Sequence, residues 1–230
     1  MKKQGEQVTD EQEVKVAVGS VTLDGILVVP SGAEAVVLFA HGSGSSRFSH
    51  RNLFVAESLQ KKGLATLLFD LLTKKEEEYD RRSAELRFDI SLLTMRLAGA
   101  TAWIASQKKT RNLAVGYFGA STGAAAALSA AAMKPDSVHA VVSRGGRPDL
   151  AGRALKDLKA PTLFIVGGND TQVLSLNKNA LAQIGAEKQL EIVPGATHLF
   201  EEPGALEIVA RLASEWFRRY LRSAVASATR

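Results

Sequence analysis

The sequence predicts an α/β fold: a mostly parallel central sheet with helices on both faces and no large lid domain. Three observations carry that expectation. A short, wholly apolar run at 35–40 and a second at 64–69, apolar but for Thr66, suit strands covered on both faces. Segments with helical spacing alternate with them along the chain, as a sheet built from crossover connections requires. Polar turns rich in glycine follow the apolar runs, where a sheet of this kind gathers its ligands.

The elements follow in order. Residues 1–12 are polar and read as a flexible leader, and residues 13–230 as a single domain. Two β-rich segments, 14–18 and 23–29, flank the turn at Gly19-Ser20 and predict an antiparallel opening hairpin. The apolar strand 35–40 leads to a helix over 48–62 that stops at Gly63, and a second buried strand, 64–69, ends at Asp70. The charge run 74–87 is expected to be a solvated loop and helix start, ahead of a long helix to about residue 107. Strands are then predicted at 112–118, 138–142, 162–166 and 189–193. Helices are predicted at 121–133, 150–158, 174–184 and 204–222. On the last of these, Leu206, Val209, Leu212 and Trp216 form an apolar stripe suited to packing on the sheet.

Composition narrows the function classes. The chain has 230 residues, 46% hydrophobic and 23% charged, which suits one soluble domain with a substantial core. A net charge of +5 is a mild excess; Arg211, Arg218, Arg219, Arg222 and Arg230 fall on the last helix or just past it, where cations complement a helix dipole. No basic stripe is interleaved with aromatics, so no nucleic-acid partner is expected. The absence of cysteine excludes disulfides, thiolate metal sites and a thiol nucleophile. The first 13 residues lack the apolar core of a signal peptide and no run approaches a membrane span, so a cytoplasmic protein with no membrane partner is expected. The four histidines share no metal-ligand spacing, and neither metal nor cofactor is called for.

The chemistry lies at the predicted strand ends. Gly119-Ala120-Ser121-Thr122-Gly123 sits between a strand and an alanine-rich helix, the setting of a nucleophile elbow. The pattern alone is weak, because a shuffled chain of this composition would show it roughly one time in ten. Other strand ends add what a serine needs. Gly167-Gly168-Asn169-Asp170 and Pro194-Gly195-Ala196-Thr197-His198 supply an acid and a base in the order Ser, Asp, His. Ser121 would attack, His198 would take and return the proton, and Asp170 would fix the imidazole tautomer. The oxyanion would be held by Thr122 N–H and by Ser43 N–H from the loop His41-Gly42-Ser43-Gly44. Asp149 is a rival for the acid. His41 is expected to brace its loop, and His139, within a strand, to be a satisfied structural residue.

These four motifs together resemble the α/β-hydrolases, in particular the small dienelactone-hydrolase-like branch, over residues 14–222. Asp70-Leu71-Leu72-Thr73 and the segment Ser143-Arg144-Gly145-Gly146-Arg147-Pro148-Asp149-Leu150 also resemble segments of that branch. Dienelactone hydrolases use a cysteine nucleophile and an acid in the loop after the third strand. This chain has Ser121 and no acid over residues 41–47, so the resemblance implies a serine carboxylesterase rather than a dienelactone hydrolase.

Seven residues, 143–149, separate the sixth strand from the next helix, which predicts an open site for short to medium acyl esters. Lactones and thioesters use the same machinery. A silent α/β-hydrolase fold acting as a binding protein is the alternative from another class. Arg144 and Arg147 flank the expected mouth, where they would meet an acidic substrate group or brace the glycine loop. The oligomeric state, monomer or homodimer, is open.

Overall fold

The computed structural model describes residues 9–228. Its sheet has eight strands in the order β1-β2-β4-β3-β5-β6-β7-β8. They are β1 (Thr9–Val18), β2 (Val21–Pro30), β3 (Ala35–Ala40), β4 (Ala65–Phe69), β5 (Ala114–Ala120), β6 (Val138–Arg144), β7 (Thr162–Gly167) and β8 (Lys188–Val193). The opening hairpin β1–β2 and the β2–β4 pair are antiparallel, and the remaining pairs are parallel. The helices are α1 (His50–Gln60), α2 (Lys74–Ser83), α3 (Ile90–Ser106), α4 (Thr122–Met133), α5 (Ala154–Asp157), α6 (Thr171–Leu181) and α7 (Ala205–Ala228).

Strand alternation divides the interior into two cores. In β3, Val36, Leu38 and Ala40 belong to one core, with buried residues of α3, α4, α5 and α6. Ala35, Val37 and Phe39 face α1 and α7. On α7, Val209 and Trp216 are buried in this second core, with Leu206 and Leu212 packed beside them, so the helix lies on the sheet as its period predicts. Helix α4 buries Ala124, Ala125, Ala126, Ala127, Ala130 and Ala131. Small side chains let it lie close to the strands, and that closeness is needed at its N-terminus.

Two expectations are corrected. Residues 9–12 are not leader but the start of β1, paired from Thr9 opposite Pro30 through Gln12 opposite Leu27. Their polar sequence, Thr9-Asp10-Glu11-Gln12, gives no strand signal because an edge strand can leave a face in water. Residues 1–8 and Arg230 lie outside the described residues. The charge run, expected as a solvated loop and helix start, is helical from Lys74: it folds into α2 and a 3-10 turn at Leu86–Phe88. Helix α2 has no apolar face to announce it and is held by polar contacts instead. Thr73 and Glu76 form a capping box. The buried Asp80 carboxylate accepts Leu86 N at 2.7 Å, Arg87 N at 3.1 Å and Arg87 Nε at 2.6 Å. Glu76 pairs with the buried Arg96 of α3.

The start of α4 is wedged against the end of β3. A Cβ added at Gly123 would lie 2.2 Å from Ala40 O and 2.4 Å from His41 O, both rigid backbone atoms. At Gly185 an added Cβ meets nothing within 4 Å. Urea denaturation of Gly123→Ala should show a loss of at least about 2 kcal/mol, with overpacking as the cause. Gly185→Ala should be neutral or slightly stabilising. Equal effects from the two would refute the wedge.

Candidate active site

Six parallel strand ends, those of β3 to β8, meet at one edge of the sheet. β5 ends at the turn holding Ser121, with φ 51° and ψ −120°. Left-handed φ at a non-glycine residue is costly and marks an enforced conformation. The turn is tied on both sides. Ser121 N–H donates to Arg144 O of β6 at 3.2 Å, and Ser121 O accepts Arg147 N–H at 3.1 Å.

The way side chains are used at the helix starts singles out two residues. Ser49, Thr73 and Asp89 sit at the N-caps of α1, α2 and α3, and each side chain accepts a backbone N–H of its own helix. Ser121 and Asp170 hold the same position on α4 and α6 without making that bond. Both turn to His198. Asp170 Oδ2 lies 2.6 Å from His198 Nδ1, and Ser121 Oγ lies 3.3 Å from His198 Nε2. A carboxylate can only accept, so Nδ1 carries the proton and Nε2 presents its lone pair to the serine hydroxyl.

The loop bearing His198 is anchored from several directions. Asn169 N–H donates to Ala196 O at 2.9 Å and Asn169 Nδ2 to Gly195 O at 2.9 Å, locking it to the loop that holds Asp170. Glu202 Oε1 accepts Thr197 N–H at 3.0 Å and Thr197 Oγ1–H at 2.5 Å. Phe200, 1% exposed, has φ 56° and plugs the loop into the core. Neither Phe200 nor Glu202 stands out in the sequence, since both lie past the histidine in a segment with no motif.

The loop after β3 is held by its neighbours on the side of β4. His41 Nε2 accepts Leu71 N–H at 3.1 Å, which places the ring proton on Nδ1, and Nδ1–H donates to Gly42 O at 3.0 Å. Arg47 N–H donates to Asp70 Oδ1 at 2.8 Å, and its guanidinium pairs with Oδ2 of the same carboxylate. His41 thus braces its loop. Ser43 N–H, expected to face the substrate, donates to Thr122 Oγ1 at 2.9 Å. Thr122 N–H opens α4, where no intrahelical acceptor exists for it.

Beside Ser43 and Thr122 opens a cavity of about 330 Å³. Leu71, Leu72 and Leu93 give it apolar walls, and Glu77, Arg81 and Arg87 line its charged side. Helix α2 therefore lines the cavity next to these loops, although the charge run gave no sign of it. The arginines near the mouth differ from expectation. Arg147 forks onto Asp149, Nε to Oδ1 at 2.9 Å and Nη2 to Oδ2 at 2.7 Å, and this occupies the rival acid as well. Arg144 is 7% exposed, its guanidinium carbon 5.8 Å from the centre of the Phe200 ring. His139 departs from the satisfied histidine foreseen, because its Nδ1 is buried without a hydrogen bond. No three His, Asp or Glu residues among those described are placed to hold a metal, and no described helix is long and apolar enough to cross a membrane.

A family model described as "Dienelactone hydrolase family" matches residues 23–223. The chain belongs to the dienelactone hydrolase family. A crystal structure of dienelactone hydrolase from Anabaena variabilis is 62% identical, covers 93% of this chain and 99% of its own, and superposes with a TM-score of 0.92. A Mycobacterium tuberculosis protein called "Putative phosphoribosyl transferase" is 58% identical over 211 residues, 92% of this chain and 47% of that protein. The chain thus spans about half the length of that relative. Est1E from Butyrivibrio proteoclasticus, at 15% identity, 90% and 98% coverage and a TM-score of 0.75, shares the fold.

Among the residues of this family member, His41 has a directed pH dependence. Desolvation lowers its pKa below the ordinary 6.5, with the Gly42 carbonyl and the Asp70 charge acting the other way. Between the lowered native value and 6.5 the unfolded chain binds the proton and the native protein does not, so stability rises with pH across that interval. Urea midpoints followed from about pH 5 to about pH 7.5 should climb through the lower part of that range. His41→Gln keeps an acceptor for Leu71 N–H without the titration and should flatten the climb. An unchanged slope in the variant would place its origin elsewhere.

Proposed function

We propose that this protein is a serine carboxylesterase that hydrolyses short to medium acyl esters through an acyl-enzyme, with Ser121, His198 and Asp170 as its triad. The observation that carries the reading is the pair of N-cap residues, Ser121 and Asp170, that leave their own helices uncapped to hydrogen-bond the two nitrogens of one imidazole. Caps are each worth about 1 kcal/mol, so both positions forgo stability for a contact with His198.

In the first half-reaction His198 Nε2 takes the Ser121 hydroxyl proton as Oγ attacks the ester carbonyl. Asp170 stabilises the imidazolium that forms. The tetrahedral oxyanion is received by Thr122 N–H and Ser43 N–H. Thr122 Oγ1 holds the second donor in place before substrate arrives, and the oxyanion displaces it as acceptor. The imidazolium then protonates the departing alcohol, and water repeats the sequence to release the acid. The cavity beside Ser43, walled by Leu71, Leu72 and Leu93, takes the acyl chain, and a volume of about 330 Å³ suits a short one.

The relative named for phosphoribosyl transfer is about twice as long as this chain, and we attach no phosphoribosyl chemistry to the part represented here. Lactones and thioesters would pass through the same steps and belong in the substrate panel. Turnover of p-nitrophenyl acetate and butyrate tests the assignment. Ser121→Ala should lower kcat/KM by at least about a thousandfold, and Asp170→Asn by at least about a hundredfold. A fluorophosphonate probe should label Ser121. An inert wild-type protein would sink the reading and favour a silent binding protein, and labelling of another residue would overturn the choice of Ser121.

A further inference from the structure

Arg144 is out of place by ordinary rules of burial. It ends β6 with 7% exposure, and Nε and Nη1 are both buried without a hydrogen-bond partner. No carboxylate pairs with it among the described residues. The charge felt most by its guanidinium is another cation, Arg51 of α1, which is itself paired with Glu201. Burial first and Arg51 second push its pKa down to about 10, still high enough to keep it charged at neutral pH. An uncompensated buried cation destabilises a fold, and an apolar chain of similar volume would be the better choice for stability alone.

Three contacts at Arg144 and Gly145 lead toward Ser121 and the His198 loop. Its carbonyl accepts Ser121 N–H at 3.2 Å. Its guanidinium faces the Phe200 ring at 5.8 Å, within the range of a cation–π contact in a desolvated setting. The next residue, Gly145, is packed so tightly that an added Cβ would stand 3.3 Å from His198 O and 3.5 Å from His198 Cε1. Phe200 lies two residues beyond His198 and holds the left-handed φ that bends that loop. A strained bend persists only where its surroundings over-determine it, and the cation over the ring is part of that restraint. Substrate contact is a poor explanation, because two nitrogens of the guanidinium are sealed from solvent.

We propose that Arg144 is a positioning residue whose guanidinium, set over Phe200, fixes the loop that carries His198 and keeps its imidazole in register with Ser121. The inference rests on the assignment of His198 as the base. It explains why a charge is tolerated where an apolar residue would pack better, and it gives stability and activity opposite signs.

Arg144→Met and Arg144→Lys test it, with p-nitrophenyl butyrate kinetics, the rate of Ser121 labelling by a fluorophosphonate, and urea denaturation on each. The Met variant should lose at least about tenfold in kcat and in labelling rate, keep KM within about twofold, and be as stable as the wild type or more so. The Lys variant, which retains a cation for the ring, should recover most of the lost kcat. Unchanged kcat and labelling in the Met variant would overturn the proposal. So would a joint fall of activity and stability, which marks a structural role, or a rise in KM alone, which marks substrate contact. A wild-type protein that neither turns over ester nor labels would instead overturn the esterase assignment beneath it.

Discussion

The geometry of the site depends on how closely the first turn of α4 approaches the end of β3. Backbone meets backbone there, Gly123 against Ala40 O and His41 O, with no space for a single methyl. That contact brings Thr122 under the loop after β3, so that Ser43 N–H reaches the Thr122 hydroxyl at 2.9 Å. It also leaves Ser121 at the tip of the turn, with a φ of 51° that only enclosure on both sides sustains. The alanines of α4 serve the same end, since a helix of larger side chains would ride higher above the sheet.

Around that contact, polar groups are spent on position rather than on local stability. Ser121 and Asp170 give up their caps, Ser121 and Phe200 adopt left-handed backbone, and Arg144 carries a charge into the interior. Each of these departs from what its own neighbourhood would favour. All of them converge on one imidazole. The starts of α1, α2 and α3, which make no contact with it, are capped in the ordinary way.

What could be read from the sequence follows the same division. Buried strands announce themselves by apolar composition, and β3 spans the residues expected, 35–40. Because a parallel sheet gathers its ligands at one edge, knowing the strand ends was enough to group Ser121, Asp170 and His198. Features set by single contacts in space were not legible. The edge residues 9–12 are polar on a strand, and α2 is a helix without an apolar face. The engagement of Ser43 N–H depends on the rotamer of Thr122, and the burial of Arg144 on which face of β6 its side chain takes. Ordering by period or motif contains none of that information.

Helix α2 is nearly self-sufficient in its bonding. Its start is closed by Thr73 and Glu76, its end by the Asp80 carboxylate, and its link to α3 is one ion pair. Apart from that pair, little of the hydrophobic interior depends on it, since its one buried residue is Asp80. Yet its side chains form one wall of the cavity beside Ser43. A wall of this kind can be redrawn, lengthened or exchanged without disturbing the sheet or the hydrogen bonds of His198. Under the proposed function, a change in that segment would reshape the space offered to the acyl chain and leave the hydrogen bonds of Ser121, His198 and Asp170 in place.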